Sequence, residues 1–264
     1  MIKENKELYQ HFTAEDHDFL DKSLELIQRV EDTYCFEVTS FINPHQAKIL
    51  KSLANRYQLQ TFVSSDYFPT EWVKVLLAPA YYQLDTEDFS LNLLEIVYPS
   101  KFHQLTHSQI FGTLMNRLGL ERRTFGDILV EKDRAQILVD KRFTQFFIDT
   151  ISKIAKTPVK LKEVSLEEML LLETSHFSKE ILASSMRLDK LIASAFKLSR
   201  NNASQLILGK NVKVNYSIVD NPSYLIAIDD LISVRRYGRF RLMKENGFSK
   251  NGKHKLTIEI QSSK

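Results

Sequence analysis

Glycine is missing from the first 111 residues of this chain, and only seven occur in all 264. A loop that cradles phosphate needs glycine for positive φ and for close backbone approach, so no nucleotide-binding loop of that kind lies in that stretch. Cysteine occurs once, which excludes an intramolecular disulfide and a multi-cysteine metal site. That residue, Cys35, stands between Tyr34 and Phe36 in an apolar strand-like run and reads as a core position. No apolar run approaches the roughly 20 residues needed to cross a bilayer. The opening Met1-Ile2-Lys3-Glu4-Asn5-Lys6 lacks the apolar centre of a signal peptide, so a cytoplasmic protein with no membrane segment is expected. Internal repeats and low-complexity segments are absent as well.

With 43% hydrophobic and 26% charged residues, the chain has the makings of an ordinary globular protein with two or three domains. Its formal net charge of +3 hides an asymmetry. Residues 1–100 carry eight Lys and Arg against sixteen Asp and Glu, a net of −8. Residues 101–182 carry thirteen against eleven, and residues 183–264 fifteen against six, giving +2 and +9. A basic end on an acidic body suits contact with a phosphate backbone through that end, because each neutralised phosphate releases a condensed counterion.

In the acidic part, Asp18 to Val30 has helical spacing, Tyr34 to Phe41 reads as a strand, and Asn43-Pro44 opens a helix with Asn as cap and Pro at its first position. Strand-like runs follow at Gln60 to Ser64, Val73 to Leu77 and Leu91 to Tyr98. Next come a helix from Thr106 to Leu118 ended by Gly119, a strand at Ala135 to Val139, a helix from Lys141 to Ala155 and a strand at Val159 to Val164. That order is consistent with a ferredoxin-like or RRM-like α+β sandwich, although the aromatic run with which RRM domains stack RNA bases is not present in standard form. Arg122 and Arg123, beside a turn at Gly126, read either as an RNA contact or as a surface pair.

The last third is the most informative. Leu188, Leu191, Ile192 and Ala195 form an apolar stripe at helical spacing with Arg187, Lys190 and Lys197 along its flank. Ser199 can cap a second helix, lined by Ala203, Leu206 and Ile207 and stopped by Gly209. Short β-type runs follow: Val212 and Val214, then Leu225, Ile226, Ile228, Ile232 and Val234, with Asn221-Pro222 as a turn. Arg235, Tyr237, Arg239 and Arg241 then alternate with Arg236, Gly238, Phe240 and Leu242, which places one basic and one apolar face on a strand. The expected division is an acidic α/β domain over 1–78, an RRM-like α+β domain over 79–181 and a basic domain over 182–264, an α+β chain as a whole.

The order R-L-D-x-x-L, S-R, G, V-x-V-N and I-S-V-R resembles the S4 RNA-binding domain, whose αL-type helix pair presents basic groups to folded RNA. The resemblance implies RNA contacts from Arg187, Lys190, Ser199 and Arg200, with Lys213 and Asn215 on the first strand. Arg235, Arg236 and Arg239 join them as basic groups suited to phosphate and exposed bases. The family usually has one residue between the glycine and the first valine, where Lys210 and Asn211 stand here. Asp229 and Arg236 occupy positions where it often has glycine.

An acidic start, L-G-L-x-R-R-x-x-G-D-I in the middle and an S4 domain at the end together resemble the YlmH family of bacterial S4-domain proteins, over nearly the whole chain. That resemblance implies association with the large ribosomal subunit, contact with ribosomal RNA near tRNA, a role in ribosome-associated quality control of stranded nascent chains, and a link to cell division. It implies no cofactor.

Catalytic readings find little to stand on. The R-L-D of a pseudouridine synthase occurs here only in the S4 helix, and neither a methyltransferase glycine turn nor the signature segments of a tyrosyl-tRNA synthetase appear. Gly247 to His254 has the spacing of a P-loop, but His254 stands where Ser or Thr must meet magnesium, and Asn251-Gly252 reads as a hairpin turn. His103 and His107 lie four apart without an evident third metal ligand. The expectation is a non-enzymatic RNA-binding factor, with an RNA-modifying enzyme of unrecognised active site as the alternative.

Overall fold

The computed structural model describes residues 17–172 and 175–262. The chain forms two compact units, divided between Leu172 and Glu173.

In the first unit, α1 (His17–Thr33) buries Leu20, Ile27 and Val30 along one stripe. After it the expected strand shrinks to β1 (Glu37–Val38). Tyr34 leaves the helix in the left-handed region at φ 56°, which ends extended pairing there. Cys35 is exposed, so its reading as a core residue is corrected: the turn carries it to the surface. α2 (Pro44–Arg56) begins as its sequence implies, with Asn43 accepting from the Gln46 N–H and the Gln46 side chain accepting from the Asn43 N–H. β2 (Gln60–Val63) and β1 flank β3 (Val75–Ala78) in an antiparallel sheet. β3 is buried on both faces: Val75 and Leu77 join the cluster of α1 and α2, whereas Leu76 and Ala78 join a second cluster.

That second cluster takes in one face of the unit's other sheet. β4 (Leu91–Val97), α3 (His107–Gly112), β5 (Phe125–Val130), β6 (Ala135–Asp140), α4 (Thr144–Thr150) and β9 (Lys160–Val164) follow in order. A small hairpin of β7 (Lys153–Ile154) and β8 (Thr157–Pro158) precedes β9. The sheet order is β5-β6-β4-β9, antiparallel throughout, which is the expected ferredoxin-like arrangement. The helix expected to reach Ala155 stops at Thr150, and Ala155 turns the hairpin at φ 51°. Leu94, Ile96, Ile137 and Val139 pack with Ile110, Leu114 and Phe147 of the helical layer. Leu93, Leu129 and Leu138 pack with Phe41, Leu76 and Ala78 of the first sheet. Every residue of β6 is therefore buried.

Polar groups pin this seam. The Lys74 ammonium donates to Asp140 at 3.0 Å and to the Ser90 carbonyl at 3.3 Å, and Arg142 grips the same carboxylate at 2.9 and 2.7 Å. Burial pushes the Lys74 pKa down. Burial also opposes the Asp140 charge, but the Arg142 and Lys74 partners prevail and hold its pKa at about 2. Gly126 is a close approach, since a Cβ there would sit 2.6 Å from the buried Phe41 ring.

The second unit is a six-stranded antiparallel sheet with two helices. β10 (Ser175–Ala183), α5 (Leu188–Phe196), α6 (Arg200–Leu208), β11 (Val212–Val214), β12 (Ser217–Ile218), β13 (Leu231–Val234), β14 (Gly238–Phe248) and β15 (His254–Ser262) follow in order. The strand order is β10-β15-β14-β13-β11-β12. Leu191, Ile192 and Ala195 of α5 and Ala203 and Ile207 of α6 bury against Val212, Ile232, Phe240 and Ile258. β10 pairs along its whole length with β15, so this unit takes in residues that the sequence division left in the middle domain. Leu225 to Ile228, read as a β-type run, is a loop: the chain there bonds back to the start of α5 instead of a strand. Asn251-Gly252 makes the hairpin turn, with Gly252 at φ 68° between β14 and β15.

Candidate RNA interface

The R-L-D run begins α5 and explains itself there. Arg187 is the N-cap residue, Asp189 lies in the first turn, and the loop after β12 closes over them: the Leu188 and Asp189 N–H groups donate to the Tyr224 and Pro222 carbonyls. Asp189 is 1% exposed and accepts from three directions. Arg187 binds it through Nε and Nη2 at 3.1 and 2.9 Å, and Arg200, the first residue of α6, donates Nε at 3.0 Å. Burial opposes the Asp189 charge, yet the hydrogen bonds from Arg187 and Arg200 outweigh it and hold the carboxyl below its usual range. One buried anion thus ties two guanidinium groups together at the joint of the helix pair. The Arg200 side chain is 63% exposed, whereas that of Arg187 is 30% exposed. A fixed guanidinium fork matches phosphate oxygens and loses little entropy on binding.

Ser199 caps α6, accepting from the Asn202 N–H at 3.2 Å, and its hydroxyl proton remains available to an acceptor. Lys190 is half-buried on the first turn of α5. Lys213 is exposed at the centre of β11, where its neighbours Val212 and Val214 point into the core. Asn215 has a different employment: its amide donates to Asp230 at 2.7 Å and its carbonyl accepts from the Leu231 N–H at 3.0 Å. That commitment holds a residue at φ 48° and leaves its side chain little to offer a ligand.

The arginine stretch is not one continuous strand. Arg235, Arg236 and Tyr237 form the turn between β13 and β14, with Arg236 at φ 71°, because Val234 pairs back onto Gly238. Arg235 and Arg236 are exposed there. Tyr237 lies 5.8 Å from the Phe196 ring at the end of α5, which sets the turn beside that helix. Arg239 and Arg241 do share a strand face, and Arg241 donates to the Asp229 carbonyl at 2.7 Å. Phe240 and Leu242 are core residues, as expected from the alternation.

All three departures from the S4 pattern fall on left-handed backbone: Lys210 at φ 56°, Asp229 at 70° and Arg236 at 71°. Gly209, by contrast, has φ −78°; a Cβ there would press Asn211 at 3.0 Å and the Gln205 carbonyl at 3.1 Å. The sequence reading missed Asp189 and Asp230 as organisers of the site. The available signal was an Asp two residues after an Arg at a helix start, a position where an acid meets both the helix dipole and the arginine.

In the first unit, Arg122 stacks on Trp72 with its guanidinium carbon 3.8 Å from the ring centre and donates to the Phe125 carbonyl, so it serves the fold. Arg123 pairs with Glu121 at the surface. The sheet face that an RRM-type domain offers to bases is covered here by the first sheet. Among the described residues no group of His, Cys, Asp and Glu could hold a metal ion, and no helix is long and apolar enough to cross a membrane.

Three family models match successive stretches of the chain. A model described as the N-terminal part of YlmH matches residues 15–82, one described as a putative RNA-binding domain in YlmH matches 85–168, and the S4 domain model matches 186–232. The ribosome-associated protein quality control protein P2 of Bacillus subtilis (strain 168) is 30% identical over 255 residues, covering 97% of this chain and 99% of its own. A solved structure of the cell division protein ylmH from Streptococcus pneumoniae is 49% identical, spans 61% of this chain and 97% of that one, and has a TM-score of 0.53.

Proposed function

The chain belongs to the YlmH family of S4-domain proteins, and from that premise we propose that it is a non-enzymatic RNA-binding factor of the ribosome. Its S4 unit grips ribosomal RNA of the large subunit, close enough to tRNA to act in quality control of stalled nascent-chain–tRNA complexes in the cytoplasm. The observation that carries this reading is the Asp189 carboxylate holding Arg187 and Arg200 as a pre-set phosphate fork. Lys190, Ser199, Lys213, Arg235, Arg236 and Arg239 extend the basic surface around the helix pair and the β13–β14 turn. The name of the Bacillus relative supports the ribosomal setting, and that of the Streptococcus relative supports a link to cell division.

The test is sedimentation of lysate on sucrose gradients at low and high salt, following this protein and its Arg187→Ala/Arg200→Ala form. Co-migration with large subunits that weakens with salt and is lost in the double variant is the expected outcome. Migration at the top of the gradient at both salts overturns the ribosomal assignment, and an unchanged double variant overturns the fork.

A further inference from the structure

One end of the N-terminal sheet carries exposed rings that the described residues of the first unit leave uncovered. Tyr34 and Tyr81 are 71% and 70% exposed, and Phe36 and Tyr57 are partly exposed nearby. The strand register brings them together, since Glu37 pairs with Leu77 and Gln60 with Ala78, so the segments leading into β1 and β2 flank the one leaving β3. The rings are held in place: the Tyr81 hydroxyl donates to the Tyr34 carbonyl at 2.5 Å, Phe36 packs 5.2 Å from Tyr82, and the Tyr82 hydroxyl donates to Asp88 at 2.5 Å. Gln60 fixes the turn below by donating to the Ala80 carbonyl at 2.5 Å. Tyr34 itself sits just past the end of α1 at φ 56°, where glycine is the usual residue. The Tyr34 side chain thus stands in solvent on left-handed backbone.

Charge decides what lands there. Glu31 and Asp32 lie just before Tyr34 in the last turn of α1, Asp85 and Asp88 follow Tyr82, and Asp88 accepts from the Tyr82 hydroxyl. Of the cations next to these segments, Arg29 pairs with Glu37 at 3.2 Å and Arg56 precedes Tyr57. Residues 17–100 carry six Lys and Arg against twelve Asp and Glu. Nucleic acid is repelled by such a field, whereas a guanidinium or ammonium is attracted both by the carboxylates and by the faces of the tyrosines. We propose that this aromatic, acid-rimmed end of the N-terminal sheet docks an extended arginine- and lysine-rich protein segment. The assignment is independent of the RNA interface: it gives the acidic part of the chain a protein partner while the basic unit holds RNA.

The experiment titrates the full chain with a fluorescent arginine–glycine repeat peptide at low and high salt. Saturable binding that weakens with salt is expected, and Tyr34→Ala/Tyr81→Ala should lose about tenfold in affinity, the worth of two exposed cation–π contacts. Glu31→Lys/Asp32→Lys, which places cations favourably at a helix C-terminus, keeps the rings and folds even where the tyrosine variant does not; it should lose affinity similarly. Arg200→Ala should leave peptide binding unchanged. Absence of peptide binding, or unaltered affinity in both double variants, overturns the proposal. So does binding of a short single-stranded RNA that the tyrosine variant loses, which makes the face an RNA contact. Self-association of the chain, abolished by the same variants in the absence of peptide binding, overturns it in favour of a second copy.

Discussion

At the scale of single residues, Asp189 separates position from charge. Asp189→Asn raises the net charge of the basic unit by one, so a purely electrostatic surface would bind RNA more tightly. If the fork matters, affinity falls instead, because Arg187 and Arg200 lose the anion that orients them. Filter binding to ribosomal RNA reads the sign. The same substitution should cost about 1–3 kcal/mol of unfolding free energy, the usual range for a buried hydrogen-bonded group left with poorer partners. Because the folded carboxyl is held below its unfolded value, its stabilisation is complete above the ordinary carboxylate range and drains away as pH falls below about 4. Arg236 shows the opposite bargain. Its φ of 71° favours glycine, so Arg236→Gly should raise stability by about 0.5–1 kcal/mol in a urea titration. It should also lower RNA affinity and shrink the salt slope by about one phosphate.

At the scale of elements, the seam between the two sheets of the first unit rests on Lys74, which precedes β3, and Asp140, which ends β6. Breaking such a buried pair is asymmetric. Asp140→Asn leaves a buried ammonium without its counter-charge and should cost about 3–5 kcal/mol, whereas Lys74→Met leaves Asp140 with Arg142 and should cost markedly less. Thermal melting of the two variants measures the difference. Asp140, with its pKa lowered to about 2, contributes stability that is whole above the unfolded carboxylate range and is lost between about pH 4 and pH 2. The succession of strands and helices from Leu91 to Val164 suggested the ferredoxin-like arrangement of the middle domain in sequence, and the structure adds β5 and the order β5-β6-β4-β9. Its covered face was not legible, because β4 and β6 read as apolar runs whether the second layer is a helix, a sheet or a ligand.

For the whole molecule, each unit has its own hydrophobic clusters, and the charge division follows the chain from acidic start to basic end. A fragment of residues 173–264 should therefore fold and keep most of the affinity for ribosomal RNA, together with its salt slope. A fragment of residues 1–172 should bind it weakly, since its net charge is unfavourable and its RRM-type sheet face is covered. Gel-shift titrations of the two fragments across a salt series check both statements.

The amino-acid sequence by itself determined the α+β class, the capped helices, the Asn251-Gly252 hairpin, the S4 helix pair and the placing of positive charge at one end. Each of these follows from residues close together in the chain, through periodicity, capping or turn chemistry. Only the tertiary structure decided which groups are spent inside the molecule. Asn215 goes to Asp230, Arg122 to Trp72 and Cys35 to the surface, while Arg187 and Arg200, thirteen positions apart in the numbering, converge on one carboxylate. Those outcomes depend on contacts between segments distant in sequence, and a local pattern carries no record of which partner a side chain will meet.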